Sequence, residues 1–192
     1  MKKIILIGAG GHARSCIDVI RQTKKFKIIG LVSDDHPVGS LIMGCKILSS
    51  NKQILKLKKL SNNLLIAFGS IYNQKKRSEV YNYFKGYGFL FPQIISPRAY
   101  VAKLSSIGRG TIVHHNVTIN ANTVIGENCI INTKANIEHD CIVENHCHVS
   151  TMANINGHVK ISSGSFIGSS SVIKENATIK KNSFIKMGSI IK

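Results

Sequence analysis

From Ile95 onward the chain places a β-branched aliphatic at every sixth position. The series runs Ile95, Val101, Ile107, Val113, Ile119, Ile125, Ile131, Ile137, Val143, Val149, Ile155, Ile161, Ile167, Ile173, Ile179, Ile185 and Ile191, seventeen positions without an exception. Two positions before each stands a mostly small residue, such as Thr111, Cys129, Ala135, Cys141, Cys147 or Ser165. Side chains two apart on a strand face the same way, so each hexad predicts a short strand with both residues turned inward, followed by a turn. A fixed unit of this length predicts a parallel β-helix of about five coils, without projecting loops. In that register Cys129, Cys141 and Cys147 are buried reduced thiols rather than nucleophiles.

The first ninety residues have a different pattern. KIILIG predicts a buried strand, Gly8-Ala9-Gly10-Gly11 a tight turn, and His12 to about Gln22 a helix. FKIIGLVSDD predicts a second strand ending at Asp34 and Asp35, and NLLIAFG (63–69) a third, followed by a helix near Asn73–Phe84. Strand, glycine turn, helix and strand make a Rossmann-like beginning, whose glycines let backbone N–H groups approach a phosphate. GAGGHA lacks the full dinucleotide spacing, and the segment is too short for two mononucleotide halves. A single nucleotide handle fits, and so does a capping domain whose glycines only turn the chain. The expected organisation is an α/β Rossmann-like domain over residues 1–92 and a β-helix over 93–192.

Lys and Arg number 26 against 9 Asp and Glu, a formal charge of +17. Such a field attracts anions, including nucleotides, coenzyme phosphates, nucleic acid and acidic membranes, without selecting one. Aromatic content of 6% and the lack of interleaved basic and aromatic residues leave little platform for stacking single-stranded nucleic acid. No apolar run reaches the length of a membrane span, and the stretch Ile4–Ile7 is too short for a signal-peptide core, so a cytoplasmic location is expected. Five cysteines without a CxxC argue against a disulfide framework or zinc ribbon.

The segment NTKANIEHDC (132–141) sets His139 between Glu138 and Asp140. A histidine beyond an inward isoleucine lies at a corner of the coil, where a substrate can reach it, and its imidazole can take a proton from an attacking amine or hydroxyl. A neighbouring carboxylate would fix its tautomer; sequence leaves Glu138 and Asp140 both open. The bland alternative is an exposed turn residue.

GAGGHA (8–13), SDD (33–35), AFGSIYNQKKR (67–77), INTKANIEHDC (131–141) and HVS (148–150), in a chain that joins a truncated Rossmann-like module to hexapeptide coils, resemble the sialic acid O-acetyltransferase-like group of hexapeptide-repeat acyltransferases. That group includes bacterial N-acetyltransferases of nucleotide-linked 4-amino sugars. The resemblance implies a left-handed β-helix and a homotrimer with active sites between subunits. It implies acetyl-CoA as co-substrate and amino-sugar acetylation for surface glycans. By position it implies His139 as base, Asp140 as its orienting acid, and Asn132 in support, with Glu138 kept as a catalytic candidate. Gly10, Gly11, His12, Asp34, Asp35 and Gly69 fall where the nucleotide-sugar is held. His148, Ile167, Gly168 and Lys186 are the cofactor-binding candidates. The group commonly continues past the repeat with a G-x-P-A-K-like segment near CoA; this sequence stops at Lys192, so it is truncated or its coils hold the CoA phosphates alone. Lys174, Lys180, Lys186 and Lys192 ring the last coils, either to attract those phosphates or to protect an open end. Alternatives are O-acetylation of sialic-acid-like sugars, a three-histidine zinc carbonic anhydrase, whose ligand spacing is missing, and a non-enzymatic trimeric scaffold or basic binder. No metal is expected. His114, His115, His146 and His158 are expected at the surface or an interface.

Overall fold

The computed structural model describes residues 1–69 and 74–192. The N-terminal sheet contains β1 (Lys2–Ile7), β2 (Phe26–Val32), β3 (Leu41–Ile42), β4 (Cys45–Ser49) and β5 (Leu64–Ile66). Their order is β3-β4-β2-β1-β5, parallel except for the β3/β4 hairpin. Helix α1 (Gly11–Thr23) connects β1 to β2, and α2 (Gln74–Gly86) follows β5. The expected strands and first helix are present within a few residues of their anticipated ends. The second helix is described from Gln74, and Asn73, with the rest of the Ser70–Asn73 stretch of the AFGSIYNQKKR motif, lies outside the described residues.

The hairpin and a 3-10 helix (Asn51–Lys59) occupy a stretch for which the hydrophobic pattern predicts nothing. The hairpin's signal is turn chemistry. Met43 and Gly44 both take positive φ, 47° and 73°, the primed-turn geometry that joins adjacent antiparallel strands.

Each of the seventeen aliphatic positions ends a two-residue strand. These strands stack in parallel into three sheets of six, five and six strands, so successive hexads walk around a three-sided prism. The junction face carries Ile95, Val113, Ile131, Val149, Ile167 and Ile185; the second face carries the series from Val101 to Ile191, and the third the series from Ile107 to Ile179. The inward aliphatics pack together with Cys129, Cys141 and Cys147 in one column of core.

Two devices make the coils regular. One corner residue in most hexads is left-handed: Asn116, Asn122, Asn128, Lys134, Asp140, His146, Met152 and His158 all have φ between 55° and 62°. Asparagine and aspartate tolerate this conformation better than other L-residues. The second device is the small inward position, which is more than a matter of size. Thr111, Thr123, Ser165 and Ser171 donate their hydroxyls to Gly126 O, Glu138 O, Lys180 O and Lys186 O at 2.7–2.9 Å. Each acceptor is the corner carbonyl that follows an inward aliphatic of the next coil, so the hydroxyls tie successive coils together at their corners.

The first three outward residues of the junction face are Ile94, Ile112 and Ile130, all fully buried. They join Ala13, Cys16, Ile17 and Ile20 of α1 and Leu6 of β1 in the N-terminal core. At roughly 1.5–3 kcal/mol for each fully buried large aliphatic, these three fix the N-terminal domain onto one side of the prism.

Candidate active site

His139 sits at the corner between the second and third faces, and its side chain is half-exposed. Its Nδ1–H donates to Asp140 Oδ2 at 2.8 Å, because a carboxylate can only accept. Asp140 Oδ1 accepts from Asn122 Nδ2, one coil earlier, at 2.7 Å. The Asn122 amide, then the His139 imidazole, hold the Asp140 carboxyl below its ordinary range. The left-handed backbone of Asp140 (φ 59°) folds its side chain back beside His139. His158, one coil later, puts its ring edge-on to His139 at 5.2 Å between centroids, with Nε2 3.7 Å from Asp140 Oδ2.

Gly157 makes room for this arrangement. A Cβ there would lie 2.7 Å from His139 Cε1 and 2.8 Å from Nε2. The imidazole thus lies against the next coil's backbone. Among the described residues no hydrogen bond occupies His139 Nε2.

Of the two acids flanking His139, Glu138 is engaged elsewhere. It accepts from Asn120 Nδ2 at 2.8 Å and Asn136 Nδ2 at 3.0 Å. Those amides, Asn136 first, hold its carboxyl below the ordinary range. Asp140, not Glu138, is the carboxylate bonded to His139.

The other expected residues lie away from this corner. Asn132 begins the corner after the junction face, where its Oδ1 accepts from Thr133 N at 2.8 Å. His148 is an outward residue of the junction face but is nearly buried, with its ring perpendicular to Phe166 at 5.0 Å. The Ile167 side chain is sealed in the core, so only its backbone can meet a cofactor. Gly168 lies directly against the backbone of Lys186 and Met187, and Lys186 is exposed. Asn132, Gly168 and Lys186 share one column, each following the inward aliphatic of the junction face.

In the N-terminal domain the loops after β1, β2 and β5 meet at the strands' carboxyl ends, where strand order reverses. This is the usual position of a ligand crevice in an open α/β sheet. They bring together Gly10 and Gly11 at the start of α1, Asp34 and Asp35 after β2, and Gly69, whose Cβ would approach His12 to 3.9 Å. Gly8 has φ 111° and is needed for the turn. Gly10 and Gly11 are different: a Cβ on either would meet nothing within 4 Å. Helix α1 has no side-chain N-cap and no acidic residue in its first turn, which leaves its positive end available to an anion.

A buried junction that sequence reasoning missed lies behind this crevice. Arg77 of α2 is fully buried and donates Nη1 to Ile66 O (2.9 Å) and Phe68 O (2.8 Å), and Nε to Asn128 O (3.3 Å) in the β-helix. Burial lowers its pKa to about 10. Nearby, the His12 and His114 rings lie 5.3 Å apart, and burial pushes the His114 pKa down to about 4. His114 was expected at a surface or interface; it is a sealed interdomain residue. Among the described residues, two groups bring metal-ligating atoms within 4.8 Å of one another: His12, Cys16 and His114, and His139, Asp140 and His158.

Residues 3–84 match the PglD N-terminal domain family. The chain is similar over its whole length to the acetyltransferase domain of PglB from Neisseria gonorrhoeae, at 25% identity with a TM-score of 0.91, covering 92% of that chain. The fold is that of a hexapeptide-repeat acyltransferase. The PglB domain in complex with acetyl coenzyme A matches this chain at 26% identity and a TM-score of 0.88, over 99% of this chain and 92% of that one. PerB from Caulobacter crescentus, in complex with CoA and GDP-perosamine, shares the fold at 22% identity and a TM-score of 0.78, over 94% and 92% of the two chains. No curated protein matches by sequence. The likeness to the PglB domain makes the prism a left-handed β-helix, the hand that the family resemblance implied. Among the described residues no helix is long and apolar enough to cross a membrane.

Proposed function

We propose that this acyltransferase moves acetyl from acetyl-CoA to the amino group of a nucleotide-linked 4-amino sugar used in surface-glycan synthesis, with His139 as general base. The observation that carries the proposal is the His139–Asp140 pair, bonded through Nδ1 at 2.8 Å, on a half-exposed side chain whose Nε2 takes part in no hydrogen bond among the described residues. The sugar amine attacks the thioester carbonyl while His139 Nε2 takes its proton. Asp140 holds the tautomer and stabilises the imidazolium. Collapse of the tetrahedral intermediate breaks the C–S bond, and His139 returns the proton to the departing thiolate of CoA. Support for the substrates comes from the acetyl coenzyme A bound by the PglB domain and the GDP-perosamine bound by PerB.

The open backbone at Gly10 and Gly11 suits a diphosphate, with Asp34, Asp35, His12 and Gly69 around the rest of the nucleotide. The His139 corner is the one opposite the junction face. A nucleotide held by the N-terminal domain of the same chain is therefore on the wrong side of the prism for that base. A neighbouring subunit of a homotrimer supplies the missing half, and would also bring Asn132 and His148 toward a facing His139. Acetyl-CoA then runs along the coils beside Gly168, the Ile167 backbone and Lys186.

The test is acetyl transfer to a panel of nucleotide 4-amino sugars by the wild type and His139→Ala. The expected loss of turnover is about 10²–10⁴-fold, with an unchanged oligomer by light scattering. Turnover within a factor of a few of wild type would remove His139 from the mechanism, and a monomeric wild-type enzyme with full activity would remove the shared site.

A further inference from the structure

We propose that His12, Cys16 and His114 form a binding site for a soft d10 cation, zinc(II) or copper(I), that clasps the N-terminal domain to the β-helix. His12 also borders the proposed nucleotide crevice, but Cys16 and His114 have no part in the proposed acyl transfer, and the spacing of histidines along the sequence did not predict a metal site.

The three donors come from two domains and converge on one place. His12 and Cys16 are one turn apart on α1, so their side chains share a face. His114 follows the inward Val113 on the junction face, and its backbone N–H is fixed to Ile131 O at 2.9 Å. The ligating atoms lie within 4.8 Å of one another, and small side-chain rotations would bring them to the ~3.5 Å that separates two donors on a tetrahedral metal at about 2.0–2.3 Å each. Cys16 and His114 are almost fully buried. His12 Nε2 and His114 Nε2 are both buried without a hydrogen-bond partner. Buried polar atoms rarely go unpaired, and two imidazole nitrogens facing one thiol make the donor set that zinc and copper prefer over calcium or magnesium.

The electrostatics favour the liganding form of the two imidazoles and disfavour that of the thiol. Burial, followed by the neighbouring His114 and Arg77, keeps His12 neutral, and neutral imidazole is what a metal requires. Burial pushes the Cys16 thiol up to about 12 against a smaller opposing pull from Arg77, so the metal itself must displace the thiol proton. Binding forms one S–metal and two N–metal bonds and releases the Cys16 proton to solvent. Three protein ligands leave a further coordination position open for water or a substrate oxygen. With thiolate, copper(I) gives a neutral unit beside the guanidinium and zinc(II) a singly positive one.

The experiment uses the full-length protein, stripped with a chelator and then exposed to zinc in one arm and to copper(I) in another, with metal content measured after desalting. One equivalent retained in at least one arm is expected, with a rise in thermal midpoint of about 5 °C at a hundredfold excess over Kd. Cobalt(II) loaded into wild-type protein should give a thiolate charge-transfer band, a reading that needs no variant. Cys16→Ser should lose that band and at least tenfold of the metal, and His114→Asn should bind more weakly. His158→Asn, which alters the exposed cluster instead, should bind like wild type. No retained metal in either arm, retention without the thiolate band, or loss on His158→Asn alone would each overturn the proposal. None of these readings depends on acetyl transfer, so this site and the proposed reaction can fail separately.

Discussion

At the outer corner, His139 and His158 share the carboxylate of Asp140 and stay half-exposed. At the domain junction, His12 and His114 are enclosed beside the guanidinium of Arg77, and among the described residues no carboxylate hydrogen-bonds either of them or Arg77. Both places are built from histidines at coil corners or helix starts, yet their surroundings assign them opposite chemistry. An imidazole with a carboxylate behind it and solvent in front can accept a proton and remain stable as a cation. An imidazole beside a buried cation is held neutral and can only donate an N–H or a lone pair. Environment, not residue type, separates a proton-transfer site from a ligating or structural one.

The largest expected effect concerns the cation that defines the junction. Arg77→Ala removes three hydrogen bonds to the buried carbonyls of Ile66, Phe68 and Asn128 and leaves a cavity across the domain boundary. A loss of about 3 kcal/mol in unfolding free energy is expected from denaturant titration. Removing the guanidinium also removes its desolvation cost, so a variant as stable as wild type would show that the buried charge is no net support. The contrast with the outer corner would then rest on His12 and His114 alone.

How far this contrast could be read from sequence differs between the two places. The outer corner was legible because the six-residue period places every corner, and the histidine and both acids are adjacent in the chain. Choosing Asp140 over Glu138 needed the structure: the asparagines that saturate Glu138 are its coil neighbours, Asn120 one coil away and Asn136 on the same strand. The junction was not legible in that way, because Arg77, His12 and His114 come from two helices and a coil that are far apart in sequence. One signal was available. Ile94, Ile112 and Ile130 place an outward aliphatic at every third hexad, and an apolar residue repeated on one outer face marks a covered side. The corresponding series on the second face, Tyr100, Thr118, Asn136 and Asn154, has no such run. The β3/β4 hairpin escaped for another reason: β3 has only two residues, too few for alternation to register, and the Met43-Gly44 turn is what marks its junction with β4.

A smaller effect tests whether the outer corner depends on position as well as on chemical groups. Gly157→Ala adds a methyl 2.7–2.8 Å from the His139 ring while leaving His139, Asp140 and Asn122 in place. The ring must swing away from the next coil, and Nε2 moves with it. A decrease in kcat of about 10²-fold is expected, the scale of a 1 Å misplacement in a reacting pair, with little change in KM for acetyl-CoA. The thermal midpoint should move far less than the rate. A Gly157→Ala enzyme with normal kcat would mean that the ring adapts, or that catalysis does not use this rotamer.

The smallest expected effect lies on the junction's rim, where a carboxylate does join the two domains. Glu127 of the β-helix accepts from Lys85 Nζ at 2.7 Å and from Tyr81 Oη at 3.1 Å, both on α2. Lys85, then Tyr81, hold its carboxyl below the ordinary range against a smaller opposing effect of burial. A carboxyl whose pKa is depressed by folding stabilises the folded state above its unfolded value, near 4.5, and loses that contribution as pH falls through its lower folded value. The partly exposed pair is worth about 1 kcal/mol or less. Thermal midpoints measured from pH 7 to pH 3 should therefore show Glu127→Gln slightly less stable than wild type at neutral pH, with the two curves converging at the acid end. A gap that persists unchanged to pH 3 would mean that Glu127 acts through packing rather than charge. The rim would then resemble the buried junction more than the open corner.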